Sequence, residues 1–301
     1  MVTGAPSLTR RAAGARALAD VVIVVLRVVA VLLLVVSAVA GSQAAWSRWA
    51  VCFVGGDPPV DGLPADRAAD WCLYLQDHLY DYTLPSDPWV PIADAAQREG
   101  VSLLALGAVV VLVSLTVVDR WYIWLLTVAA GGALGTMWVV TGLSTLLSGQ
   151  AGEPVEADLT VPLAPLIWLM PWVTIGLAVL ARRRGEADAA VRKPGTARDG
   201  RQLAVFWAAM TATQPFPEYF ITLMMWPSHD SSPLEGFFRC TAVTVAAAAV
   251  ALTLISPEGR SRLLPPPLRW VGRVTMRGLA TVSDRLRRAD TGPDPSMTKP
   301  W

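Results

Sequence analysis

The sequence predicts an all-α fold, a polytopic membrane bundle of six transmembrane helices with the N-terminus and C-terminus both cytoplasmic. Three observations predict it. Of the 301 residues, 53% are hydrophobic and only 16% charged, whereas a soluble domain carries about a quarter charged residues. Five stretches, 21–45, 101–118, 121–147, 159–181 and 236–256, are apolar enough and long enough to cross ~30 Å of hydrocarbon at ~1.5 Å per residue. The basic residues, finally, are segregated into alternate loops. Lipid offers no hydrogen-bond partners, so each crossing must satisfy its own backbone, and runs of this length are helices and not barrel strands.

A sixth crossing, 203–226, is interrupted by polar residues and is predicted from charge. Lys and Arg resist translocation, so basic loops mark the cytoplasmic side. With six crossings, twenty of the 25 basic residues fall on inside segments: Arg10, Arg11 and Arg16, then Arg120, then seven between 182 and 201, then nine after 256. The outside loops keep only Arg48, Arg67 and Arg98, and Arg27 and Arg239 lie within crossings. Five crossings would export the basic tail. The bases are 23 Arg against Lys193 and Lys299, and with abundant Ala and Val this is the bias of a GC-rich bacterial genome. The expected address is a bacterial inner membrane. Ala38-Val39-Ala40 also reads as a signal-peptidase site, but the run before it is long for a signal sequence, so residues 1–40 are expected to be retained.

The expected organisation is a cytoplasmic segment 1–20, a membrane domain 21–256 with an extracytoplasmic loop 46–98, and a cytoplasmic basic tail 257–301. Trp46 and Trp49 stand where an aromatic belt would sit. Cys52 and Cys72 share the outside loop, where disulfides persist, and are expected to bridge; a redox pair would prefer a closer spacing. Cys240 reads as a small apolar residue. Residues 63–81 are patterned as a helix with Asp66, Asp70, Asp77 and Asp81 on one face and Ala68, Cys72, Leu75 and Leu79 on the other. The four carboxylates are a weak cation-site candidate, weighed against a solvated face, since no calcium loop accompanies them.

The interruption reads Thr213-Gln214-Pro215-Phe216-Pro217-Glu218. Two prolines in three residues break a helix, and an ionisable group beside freed carbonyls at membrane depth is a site hypothesis. Gln214, Glu218 and Arg239 are therefore the candidate intramembrane polar site, with Glu218 foremost. Against this stand a structural carboxylate at Glu218 and an Arg239 that reaches headgroups. Arg27 is expected to snorkel. Thr127, Gly131 and Gly135 carry the small-residue spacing of close helix packing, and Pro171 suggests a kink. The tail segment 268–288 sets Leu268, Val271, Leu279, Val282 and Leu286 against Arg269, Arg273, Arg277 and Arg285, the pattern of a helix on anionic headgroups.

The two histidines, His78 and His229, accompany no metalloprotease, esterase, phosphate-loop or haem motif. The pair His229-Asp230 has no nucleophile or metal partner in view. No cofactor, no metal, no nucleic-acid partner and no enzymatic reaction are expected. The favoured function is a non-enzymatic membrane component binding an extracytoplasmic partner. The alternatives are a small-solute or ion transporter or channel working at the break around Glu218, and a membrane enzyme of unrecognised type.

Overall fold

The computed structural model describes residues 6–56, 60, 71–117, 120–155, 160–191, 196–226 and 230–255, and every regular element among them is helical. The elements are α1 (Pro6–Val54), α2 (Trp71–Tyr74), a 3₁₀ turn (His78–Tyr80), α3 (Ala95–Leu115), α4 (Trp121–Ala151), α5 (Thr160–Val191), α6 (Thr196–Ala212), α7 (Pro215–Met225) and α8 (Phe237–Leu254). Among the described residues four helices are long and apolar enough to cross a membrane: α1 over Ala17–Val54, α3, α4 and α8. Helices occupy most of each of the other five apolar runs, and the interrupted run is divided between α6 and α7. Asp66, Asp70, Ala68, His229 and the tail segment 268–288 lie outside the described residues.

α1, with 49 residues, is about 74 Å long at ~1.5 Å per residue, well beyond any bilayer core, and one end reaches the disulfide Cys52–Cys72. That end of the bundle is here called the disulfide end. The bundle is cored by Leu34, Leu103, Leu106, Val110, Leu134, Met170, Phe206, Trp207, Met210 and Val250. α3 and α4 pack through their small residues. A methyl on Gly142 would lie 2.8 Å from the Leu104 nitrogen and 2.9 Å from the Gly100 carbonyl oxygen. One on Gly135 would lie 2.9 Å from the Gly107 oxygen, and one on Gly131 would strike Ser114. With Thr127 buried as well, the expected close-packing stripe is a seam within the chain. Arg27 does not merely snorkel: its guanidinium lies 3.7 Å from Asp199 at the start of α6.

A second, smaller core covers the disulfide end, formed by Ala44, Ala45, Trp49, Leu75, Tyr80, Tyr82, Ile92, Ala95 and Ala96. Trp49 is fully buried there and Trp46 half exposed, so only Trp46 remains available to an aromatic belt. Arg48, 1% exposed, organises this layer. Its Nε and Nη2 donate to the Leu75 carbonyl at 2.9 and 2.7 Å, Nη2 also to the Asp77 carbonyl at 3.1 Å, and Nη1 to Asp81 at 2.7 Å. The guanidinium also lies 4.3 Å from the Trp49 ring centroid, within cation–π range. The helix expected over 63–81 is broken here. α2 ends at Tyr74, and Asp77 caps the following 3₁₀ turn through the Leu79 N–H. The Leu75 and Asp77 carbonyls bond Arg48 across the chain, which an unbroken helix would have claimed for itself.

Two outcomes test this account. Arg48→Lys removes a forked donor that an ammonium cannot replace and lowers unfolding stability in detergent by about 1.5–3 kcal/mol. Gly142→Leu forces α3 and α4 apart and costs about 1–3 kcal/mol or more, read as a fall in melting temperature; an unchanged melt for either variant contradicts the packing described.

Candidate functional site

The break between α6 and α7 is built locally. Thr213 Oγ and Gln214 Nε2 both donate to the Met210 carbonyl, at 2.9 and 3.0 Å, taking the acceptor that the Gln214 N–H leaves when it turns to the Thr211 carbonyl at 3.3 Å. Gln214 is extended at the N-cap of α7, and Pro215 opens the helix, where its fixed φ suits the first turn. The short helix has inverted polarity. Glu218 and Thr222, one turn apart, are buried, while Phe216, Tyr219, Phe220 and Met224 are exposed, the reverse of a helix whose outer face meets water.

Glu218 is held on both oxygens. Oε1 accepts the backbone N–H groups of Gly236 at 2.8 Å and Arg239 at 3.3 Å, capping the first turn of α8 as an N-terminal anion does. Oε2 lies 3.3 Å from Arg239 Nη1. On its other side Arg239 Nη2 is 2.6 Å from Glu99 on α3, and Thr83 Oγ donates to the same Glu99 oxygen at 3.4 Å. Glu99, Glu218 and Arg239 are at most 4% exposed. Gly236 makes the close approach possible: its φ is +80°, and a methyl there would meet Ala45 at 2.9 Å and the Tyr82 hydroxyl. Burial beside Glu99 pushes the Tyr82 hydroxyl well above its ordinary range.

This cluster forms one wall of a cavity of about 250 Å³. Arg239, Glu218, Glu235 and Thr83 line that wall, and Met137, Trp138, Thr141, Ile167, Met170 and Pro215 line the remainder. Leu84, which also borders it, has φ +49°, a left-handed conformation held by its N–H donating to Thr145 Oγ at 3.1 Å. Glu235 is half-buried, and burial, opposed by Arg48 and Arg239 and reinforced by Glu218 and Asp81, pushes its carboxyl up to about 7.

Of the three residues expected at the break, Glu218 and Arg239 are brought together, whereas Gln214 turns back onto α6. Of the acidic stripe, Asp66 and Asp70 lie outside the described residues, while Asp81 pairs with Arg48 and Asp77 lies 3.1 Å from His78. Asp77, His78 and Asp230 do form an exposed group whose ligand atoms lie within 4.8 Å of one another. Sequence reasoning missed Glu99, Glu235 and Trp138. Glu99 stands two residues before the apolar run at 101 and reads as loop, and Glu235 precedes the last run in the same way. Comparison with protein families, with characterised proteins and with solved structures returns no match, so the chemistry of the site rests on its own geometry.

Arg239→Gln is expected to destabilise the protein by about 3–5 kcal/mol, because it strands the buried Glu99 and Glu218 carboxylates; Glu218→Gln, which leaves Arg239 paired with Glu99, costs less, about 1–3 kcal/mol. The double variant falls short of the sum by about 0.5–3 kcal/mol, measured by thermal unfolding; additive losses would argue against the contact. Glu235 gives a pH signature. Because its folded-state carboxyl is raised to about 7, the folded protein holds a proton that the unfolded chain releases at lower pH. That contribution is full below the ordinary carboxylate range and is lost as pH rises toward 7. Glu235→Gln should flatten this decline in melting temperature between pH 5 and 8.

Proposed function

We propose that the chain crosses a bacterial inner membrane six times, with both ends cytoplasmic, and acts without enzymatic chemistry as a carrier of a small solute bound at the helix break. In this reading α5 is the fourth crossing, α6 and α7 together make the fifth, and the tail segment 268–288 lies on anionic headgroups. The observation that carries it is a second cavity, of about 500 Å³, toward the other end of the same helices. Asp20, Arg27, Thr127, Arg184, Asp199 and Trp207 are among its lining. Along α4, Thr127 in this cavity and Thr141 in the first are fourteen residues apart, about 21 Å. Buried Leu134 and Met210 and the Thr211–Thr174 hydrogen bond of 2.9 Å occupy levels between them. Two cavities separated by packed side chains beside a discontinuous helix suit alternating exposure of one site.

Proteoliposome uptake over a panel of amines, amino acids and sugars tests the reading. Flux of one class is expected, reduced at least tenfold by Thr141→Trp, which fills the first cavity; no flux for any class would sink the proposal. Reporter fusions at residues 190 and 260 should stay cytoplasmic, and labels at residues 60 and 230 should react from outside.

A second reading, an extracytoplasmic protein partner bound without transport, is favoured by the exposed Asp77, His78 and Asp230 group on a layer stapled by Cys52–Cys72. Under it, Asp77→Asn with Asp230→Asn abolishes in-cell crosslinking to a neighbour; under the carrier reading flux survives that change.

A further inference from the structure

Each polar group on the first cavity's wall differs in what it has left to offer. Glu218 is saturated, with Oε1 on two backbone N–H groups and Oε2 beside Arg239. Arg239 is shared between Glu218 and Glu99, so its charge is more than balanced and it offers an incoming anion little. Its Nε nevertheless has no partner, and neither does the indole Nε1 of Trp138, although that ring is 3% exposed and lines the cavity. Glu235 is the remaining acid on the wall, and among the described residues its carboxylate makes no hydrogen bond or ion pair. The charged groups facing it are Arg48, Glu218, Asp81 and Arg239. Arg48 is already bonded to Asp81, so three carboxylates, Glu99, Glu218 and Glu235, stand against the single guanidinium of Arg239.

A cavity with this balance lacks a cation. Its other walls, Met137, Trp138, Ile167, Met170 and Pro215, favour an apolar body. Its volume of about 250 Å³ lies just below the roughly 300–1,000 Å³ typical of drug-sized sites. We propose that the cavity binds a small amphiphilic amine, its ammonium on the Glu235 carboxylate and its apolar body against Trp138, Ile167 and Met170. This rests on the carrier reading and names its substrate class. The unpartnered Trp138 Nε1 adds a preference for an amine that also carries a hydroxyl. The carboxylates on the wall disfavour an organic anion, and a sugar leaves the apolar walls without a partner.

Isothermal titration of the full chain in lipid nanodiscs tests this with four probes: 2-phenylethylamine, 2-amino-1-phenylethanol, neutral 2-phenylethanol and 3-phenylpropanoate. The amine is expected to bind at least tenfold tighter than the neutral alcohol, with no binding of the carboxylate. The amino alcohol should bind tighter than the simple amine, and Trp138→Phe should erase that difference. Glu235→Gln should remove the amine's advantage while leaving 2-phenylethanol unchanged. If that variant does not fold, wild-type protein still reports: amine affinity should rise as pH is raised through about 7, while the alcohol's stays flat. Equal affinity for amine and alcohol, or tighter binding of the carboxylate, overturns the inference. Solute flux without amine binding would leave the carrier reading standing and this inference fallen. Selective amine binding in a protein that carries nothing would do the reverse.

Discussion

Arg239, held between Glu99 and Glu218, ties α3, α7 and α8 together at the disulfide end of the bundle. Desolvating three charged side chains costs several kcal/mol per ion, recovered only when geometry and hydrogen bonds are good. The surrounding chain supplies both. Glu218 takes its remaining bonds from the start of α8, Thr83 adds one to Glu99, and Gly236 adopts the positive φ that lets the α8 N-terminus approach. A carboxylate that caps one helix while pairing with an arginine of that same helix has little freedom, so the position of α7 follows from it.

That constraint separates scaffold from site. Glu218, the most conspicuous acid at the break, is occupied in holding α7 to α8, and its fixed position leaves an open volume beside it. Glu235, in the turn before α8, borders that volume and, among the described residues, its carboxylate makes no hydrogen bond or ion pair. The break thus contributes less through the carboxylate it contains than through the space it opens between α4, α5 and α7. The layer beneath, built on Arg48 and the Cys52–Cys72 bridge, buries Tyr82, next to the Thr83 and Leu84 that line the cavity.

Much of the architecture was legible because lipid imposes a simple rule on sequence. Residues 21–45, 101–118, 121–147, 159–181 and 236–256 are predominantly apolar, and a run of that length in lipid admits only a helix. The paired prolines at 215 and 217 announced their own break, since a missing N–H is a local property. The pairing of Cys52 with Cys72 was readable from compartment and spacing. Arg48 was not: in sequence it is a basic residue beyond a crossing, indistinguishable from Arg98, and only folding places the Leu75 and Asp77 carbonyls around it. The 63–81 pattern failed for the same reason, because an amphipathic period does not register carbonyls claimed by a distant guanidinium.

By itself, then, the sequence determined that the chain is helical, apolar enough to lie in a membrane, interrupted at Gln214 and bridged between two cysteines. Each of these follows from local composition, backbone chemistry or short spacing. Only the tertiary structure decided that Arg239 meets Glu99 as well as Glu218, and that Glu218 caps α8 across a gap of eighteen residues. It also decided that Glu235 and Trp138 share a cavity. These are contacts between helices, set by which faces pack together, and a helix that is apolar all round carries no signal of which face that will be.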